Sequence, residues 1–139
     1  MKISQLHLSD FMLFQQADFQ WSPGINVICG TNSTGKTALI KLMYSLHKSY
    51  EQWNSTETKE AAVNRFSEKL CGVFRPDNGK VGRLVRRKQG NAQMTASMGY
   101  ENGTSIDVNF GNRASKIATL ILPKMEHTAS PDHTAVYFP

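Results

Sequence analysis

The sequence predicts an α/β fold in which two helices pack on a β-sheet. An eight-residue loop with two glycines, at residues 30–37, lies between a short apolar run and a stretch with helical periodicity. A second helical stretch follows, and from residue 80 onward short β-like segments are separated by glycine and asparagine turns. The 139 residues, 40% hydrophobic and 19% charged, are enough for one globular domain with its own core.

Strands are predicted before the loop over residues 2–8, 17–21 and 25–29. The first two alternate polar and apolar side chains, and a turn at Ser22, Pro23 and Gly24 separates the second from the third. The third is a continuous apolar run, which is typical of a buried strand. Cys29 is expected to be a small buried residue within that run.

Helices are predicted over residues 35–48 and 58–74, with both apolar faces in the core. Further strands are predicted over 81–88, 93–100, 105–110, 117–122 and 135–138, with turns at 90–91, 102–103 and 111–112. Residues 123–133 contain Lys124, Glu126, His127, Asp132 and His133. Two imidazoles without a shared helix or hairpin favour a plain loop over a metal site there.

The loop at 30–37 follows the pattern G-x-x-x-x-G-K-[ST], in which backbone N–H groups surround a phosphate. Gly30 and Gly35 permit the backbone angles and the close approach that a side chain would block. Lys36 can reach the β- and γ-phosphates, and the hydroxyl of Thr37 can ligate Mg²⁺. The predicted nucleotide contacts are Gly30, Thr31, Asn32, Ser33, Thr34, Gly35, Lys36, Thr37 and Ala38, with Lys36 as the catalytic residue and Thr37 as the metal ligand.

The surroundings of this loop decide between two interpretations. An irregular loop that matches the pattern by chance is the simpler one. A predicted strand before the loop and a predicted helix after it form the context in which the pattern binds phosphate, and the helix adds its positive N-terminal end. The sequence therefore predicts a domain that binds a nucleoside triphosphate.

Composition and charge limit the classes of partner that this protein can have. The formal net charge is +5, and positive charges cluster at Lys80, Arg83, Arg86, Arg87 and Lys88. This cluster could hold DNA, although a solvated strand face is the favoured interpretation. No apolar run of about 18 residues is present, the N-terminus has no signal-peptide pattern, and two cysteines make no disulfide framework, so a cytoplasmic protein without a membrane span is expected.

Residues 6–39 carry the spaced pattern Leu6-x-Leu8-x-x-Phe11, then Phe14, then Pro23-Gly24-Ile25-Asn26-Val27-Ile28-x-Gly30-x-Asn32-x-x-Gly35-Lys36-Thr37-x-Leu39. This pattern resembles the N-terminal lobe of ABC-type ATPase heads, with the SMC, RecF and OLD-like branch of DNA repair, chromosome maintenance and anti-phage defence as the best match. The resemblance covers residues 1–48 in sequence and 49–139 in architecture only. Asn32 matches the asparagine of the family's loop. Met12 stands where the family often has a basic nucleotide contact, and Asp10 replaces its usual asparagine.

The resemblance implies a P-loop NTPase fold with an ABC-ATPase-like N-terminal lobe, an antiparallel β meander and two helices on a mixed sheet. It implies ATP and Mg²⁺ as cofactors and a homodimer or hetero-oligomer formed through ATPase heads. It also implies a second lobe with an acidic water-activating residue and a serine-glycine signature, and residues 1–139 contain neither pattern. These residues are therefore expected to be an N-terminal lobe that is incomplete by itself.

Three functions are compatible with this sequence. The first is the ATP-binding part of a soluble ATPase of DNA repair, maintenance or phage defence, in which nucleotide drives head dimerisation. The second is a nucleotide-binding assembly module without turnover, which the lack of a recognisable general base favours for the isolated chain. The third is a transporter-type nucleotide-binding subunit, which ranks lower because no coupling-helix feature is present.

Overall fold

A computed structural model describes residues 2–123 of the chain as a five-stranded sheet and two helices. The elements are β1 (Ile3–Phe11), β2 (Phe14–Gln20), α1 (Lys36–Gln52), α2 (Lys59–Phe74), β3 (Gln93–Tyr100), β4 (Ser105–Gly111) and β5 (Thr119–Ile121). Two short 3₁₀ turns, Asp77–Gly79 and Val81–Leu84, connect α2 to β3. The predicted α/β class is confirmed, and both helices lie where their periodicity places them.

The strand order is β2-β1-β3-β4-β5, and each neighbouring pair is antiparallel. The register aligns a row of small and medium apolar side chains across four strands: Leu8, Ala96, Val108 and Leu120. All four are buried, while their polar neighbours point to the opposite face. Within residues 2–123 the sheet contains the expected antiparallel meander but no parallel pair, which a mixed sheet requires.

The helices supply the other half of the core. Leu39, Leu42 and Leu46 of α1 and Phe66 and Leu70 of α2 are buried against the apolar face of the sheet in a single cluster. The hydroxyl of Thr58 accepts a hydrogen bond from the N–H of Ala61, which caps the start of α2. This packing fixes the N-terminus of α1 near one edge of the sheet.

The predicted strand at 25–29 is wrong. These residues form no strand, and Ile25 and Val27 are 92% and 77% exposed. Cys29, expected to be buried, is exposed as well. Within residues 2–123 this run pairs with no strand, and Ile28 alone of its side chains is partly buried against the core, so the run lacks the cover on two faces that a buried strand needs.

The predicted strand at 81–88 is also wrong, and 117–122 is too long. Val81, Leu84 and Val85 are buried, and their spacing of three and then one suits a 3₁₀ turn followed by a bridge to Phe11. In the segment 117–122, the N–H of Ile117 donates to Ser67 Oγ at 3.0 Å, so β5 begins only at Thr119. The predicted strand at 135–138 and the metal candidates of 124–133 lie outside the described residues.

Candidate phosphate-binding site

The loop at 30–37 leads directly into the first turn of α1. Ser33 and Gly35 have φ angles of 67° and 85°, in the left-handed region, and these two residues fold the loop back over the helix N-terminus. Thr34 Oγ1 donates to the Thr31 carbonyl at 2.8 Å and closes the loop on itself. Gly35 offers no side chain to cap α1, and the first turn of α1 contains no acidic residue. The geometry therefore leaves N–H donors and a positive helix end directed at the loop.

The two glycines are needed for different reasons. A Cβ at Gly30 would lie 2.9 Å from Thr34 Oγ1 within the loop itself. A Cβ at Gly35 would lie 2.8 Å from Phe14 Cε2, and its φ of 85° is one that L side chains rarely adopt. A side chain at either position would therefore meet a neighbouring side chain, and the special backbone angle belongs to Gly35. The predicted close approach of these glycines to a phosphate stays a prediction.

Lys36 folds back onto its own loop. Its ammonium donates to the Gly30 carbonyl and, at 2.7 Å, to the Thr31 carbonyl. Thr37, the next residue, is exposed in the first turn of α1. Both residues therefore lie at the loop end of the helix, where a lysine can exchange neutral carbonyl contacts for phosphate oxygens.

A cleft of about 370 Å³ opens beside the loop, large enough for a nucleotide-sized ligand. Its lining consists of Met12, Leu13, Asn32, Ser33, Thr34, Gly35, Lys36, Thr37, Ala38, Lys41 and Phe74. Asn32 to Ala38 are predicted by the motif, and Gly30 and Thr31 lie behind them as acceptors for Lys36. The motif does not identify Met12 and Leu13 of the β1–β2 turn, Lys41 or Phe74. Two of these four carry a sequence signal: Met12 stands where the resemblance places a nucleotide contact, and Lys41 lies one helical turn beyond Thr37.

The basic cluster borders the same turn. Arg86 Nη1 donates to the Leu13 carbonyl at 3.4 Å, and Lys88 Nζ lies 2.9 Å from Asp10 Oδ2. Asp10 also accepts the backbone N–H of Arg86 at 2.7 Å through its carbonyl. Lys80, Arg83 and Arg87 are exposed. Two of the five basic residues thus hold the β1–β2 turn, and three face solvent.

A larger concavity of about 580 Å³ lies on the polar face of the sheet, away from this loop. It is lined by strand side chains such as His7, Asp18, Ser97 and Asp107. It has neither a helix N-terminus nor a glycine-bounded loop of N–H donors, so the phosphate-binding features belong to the smaller cleft. Residues 2–123 contain no group of three His, Cys, Asp or Glu side chains suited to a metal ion.

Residues 1–123 match the family described as AAA ATPase domain. The chain belongs to this family. This AAA ATPase domain is also similar to DNA replication and repair protein RecF of Streptococcus equi subsp. zooepidemicus, with 28% identity over 101 residues, 64% of this chain and 27% of that protein. RecF of Limosilactobacillus reuteri is 34% identical over 79 residues, 52% of this chain and 21% of that protein. RecF of Renibacterium salmoninarum is 46% identical over 43 residues, 31% and 11% respectively.

These relatives confirm the resemblance to the N-terminal lobe of the SMC and RecF branch of ATPase heads. The chain of this AAA ATPase domain spans about a quarter or less of the length of the relatives just named. Within residues 2–123, α1 and α2 are both too short or too polar to cross a bilayer.

Proposed function

We propose that this AAA ATPase domain binds ATP with Mg²⁺ and is the nucleotide-binding part of an ATPase of DNA repair or maintenance. The observation that carries the proposal is the glycine-bounded loop at the N-terminus of α1, with Lys36 and Thr37 facing one cleft. The RecF relatives support the DNA-repair role. Phage defence and a transporter-type subunit rest on the sequence resemblance alone and stay predictions, as does a cytoplasmic location.

Each loop residue has a role in this proposal. The backbone N–H groups of residues 30–38 cradle the phosphates, and Lys36 leaves the carbonyls of Gly30 and Thr31 to neutralise the β- and γ-phosphates. The Thr37 hydroxyl is a hard oxygen ligand of the kind Mg²⁺ prefers. Mg²⁺ would take its remaining ligands from phosphate oxygens and water, because no acidic side chain lines the described cleft.

The domain is proposed to be the first lobe of a larger ATPase head. The apolar run at 25–29 has the composition of a strand buried on both faces. Within the described residues 2–123, however, Ile25 and Val27 are exposed to solvent. A second lobe that pairs with this run would bury it and would supply the acidic residue for hydrolysis. ATP-driven pairing of heads, as a homodimer or hetero-oligomer, belongs to the same proposal.

A second candidate is a nucleotide-binding module without turnover of its own. It is favoured by one observation: the cleft lining contains two lysines and no aspartate or glutamate among the described residues. ATP binding is common to both candidates. Steady hydrolysis by residues 1–139 would exclude the second candidate. Binding without hydrolysis is expected of both, because the first candidate takes its acidic residue from a second lobe.

The proposal is tested by calorimetric titration of ATP and Mg²⁺ into the wild type, Lys36→Ala and Lys59→Ala. Lys59 is an exposed lysine at the start of α2 and outside the cleft, so it controls for loss of one positive charge. We expect binding by the wild type and Lys59→Ala and loss of binding in Lys36→Ala. Undiminished affinity in Lys36→Ala would refute the assignment.

DNA binding is proposed for the exposed residues Lys80, Arg83 and Arg87. A variant with all three changed to alanine should bind duplex DNA with a smaller dependence of log affinity on log salt, by about 0.9 for each phosphate that it no longer neutralises. Arg86 and Lys88 are left intact because they hold the β1–β2 turn. An unchanged salt dependence would mean that these three residues do not contact DNA.

A further inference from the structure

Lys41 is a cleft residue that no motif assigns. It lies on α1 four residues after Thr37 and three after Ala38, so all three share one face of the helix. Its side chain lines the same cleft as residues 32–38. The phosphate loop is therefore followed, one turn along α1, by a second ammonium group on the ligand side of the helix.

The position of this ammonium is set by Phe74 at the end of α2. Lys41 Nζ lies 5.8 Å from the centre of the Phe74 ring, within cation–π range. The ring is itself held edge-on against Phe11, with 5.8 Å between ring centres. Lys41 thus lies against a fixed aromatic wall, whereas Lys36 bonds to the carbonyls of its own loop.

The charge balance of the cleft favours an anion. Lys36 and Lys41 are its only ionisable side chains in the described lining, and the N-terminus of α1 adds a positive dipole end. Two cations that face one concave site without a carboxylate repel each other, and a polyanionic ligand relieves that repulsion.

We propose that Lys41 is a nucleotide-binding residue that contacts the α-phosphate side of the ligand, beyond the reach of Lys36. This inference rests on the proposed function of the cleft. Lys36 belongs to the loop that surrounds the β- and γ-phosphates, and Lys41 lies a helical turn further along the same face. A contact at the α-phosphate is made equally by ATP and ADP, so loss of Lys41 weakens both. Loss of Lys36 weakens ATP more than ADP, because only ATP has the γ-phosphate.

The test is calorimetric titration of ATP and, separately, ADP into Lys41→Gln, Lys41→Met and Lys41→Arg. Lys41→Met keeps an unbranched apolar stem against Phe74 while it removes the charge. We expect about a tenfold loss of affinity for both nucleotides in the Gln and Met variants. Lys41→Arg should stay within about threefold of the wild type, because it keeps a charged donor. Lys59→Gln is the matched control and should bind like the wild type.

The outcomes separate this inference from the proposed function. Binding by the wild type with unchanged affinity in Lys41→Gln and Lys41→Met would overturn the role of Lys41 and leave the phosphate loop assigned. A loss confined to ATP would also overturn it, because the α-phosphate is present in both ligands. A wild type that binds neither nucleotide would refute the proposed function and this inference with it. A melting curve for each variant shows that the comparison is made between folded proteins.

Discussion

The ring of Phe14 packs against the Cα of Gly35 where the phosphate loop joins α1. A Cβ at position 35 would lie 2.8 Å from Phe14 Cε2 and 2.9 Å from Cζ. Phe14 opens β2 and is itself packed edge-on against Phe19, with 6.2 Å between ring centres. The β1–β2 hairpin therefore packs against the loop through Phe14. The second glycine of the motif is needed for this close packing as well as for its backbone conformation.

Gly35→Ala is expected to destabilise the domain more than Gly103→Ala. Both residues have positive φ, 85° and 82°, but a Cβ at Gly103 meets nothing within 4 Å. Alanine at 103 should cost about 1 kcal/mol for the backbone angle alone, and alanine at 35 about 1–3 kcal/mol more because of the clash with Phe14. Urea unfolding measures the difference. The double variant Gly35→Ala with Phe14→Ala should show a smaller added cost for the alanine at 35 than the single variant. Equal costs at 35 and 103 would mean that Phe14 does not support the loop.

Asp10 is expected to tolerate asparagine better than alanine. Its φ of 51° suits Asp and Asn, and its Oδ2 pairs with Lys88 at 2.9 Å. Asp10→Ala loses both the ion pair and the favoured side chain, so it should cost about 1–3 kcal/mol. Asp10→Asn should cost less than about 1 kcal/mol, because the amide keeps a hydrogen-bonding side chain at this angle. Chemical unfolding of both variants, with the exposed Glu68→Ala as control, checks this order. A loss in Asp10→Asn as large as that in Asp10→Ala would show that charge outweighs conformation at this turn.

The buried His47 should make the fold less stable below neutral pH. Burial lowers the pKa of His47 from its ordinary 6.5, more than the Glu51 carboxylate 3.3 Å from Nε2 raises it. Burial also raises the pKa of Tyr100, so its hydroxyl stays protonated and can donate to His47 Nδ1 at 2.8 Å. The unfolded chain gains a proton near pH 6.5, and the folded chain gains it only at lower pH. The contribution of His47 to the free energy of unfolding is therefore fully present above about pH 6.5, and it is lost as the pH drops toward the lowered pKa.

The measurement is the free energy of unfolding between pH 5.5 and 8, for the wild type and His47→Gln. Glutamine can still accept from Tyr100 but does not titrate, so the variant should lose less stability over this range than the wild type. The difference between the two pH profiles removes every contribution that the wild type and the variant share. Parallel pH profiles would mean that His47 does not carry the effect.

The parts of the fold that the sequence predicts well are those with a regular local period. Residues 58–74 repeat apolar side chains at helical spacing, and α2 occupies Lys59–Phe74 with Thr58 as its cap. Residues 93–100 and 105–110 alternate, and β3 and β4 form there, β4 one residue longer. The segment 81–88 is predicted as a strand on its charged residues. The spacing of its buried residues Val81, Leu84 and Val85 instead suits a 3₁₀ turn.

The candidate site divides in the same way. The loop at 30–37 is a contiguous motif, so its members can be named from the sequence. Phe74 and Met12 reach the cleft from α2 and the β1–β2 turn, and only the tertiary packing brings them beside Lys41. The support of Gly35 by Phe14 is likewise a contact between elements, which no local pattern announces.

The structure and the sequence disagree on whether Val27 is buried, and a substitution at this residue tests which is right. In residues 2–123 its side chain is 77% exposed, whereas Leu42 of α1 is fully buried. Val27→Ser should therefore change the free energy of unfolding by no more than about 0.5 kcal/mol, and Leu42→Ala should cost about 2–5 kcal/mol. Urea unfolding followed by circular dichroism compares the two. A cost above about 1.5 kcal/mol for Val27→Ser would show that 25–29 is already a buried strand, as its sequence suggests. A negligible cost would leave this run free for the second lobe that the proposed ATPase head requires.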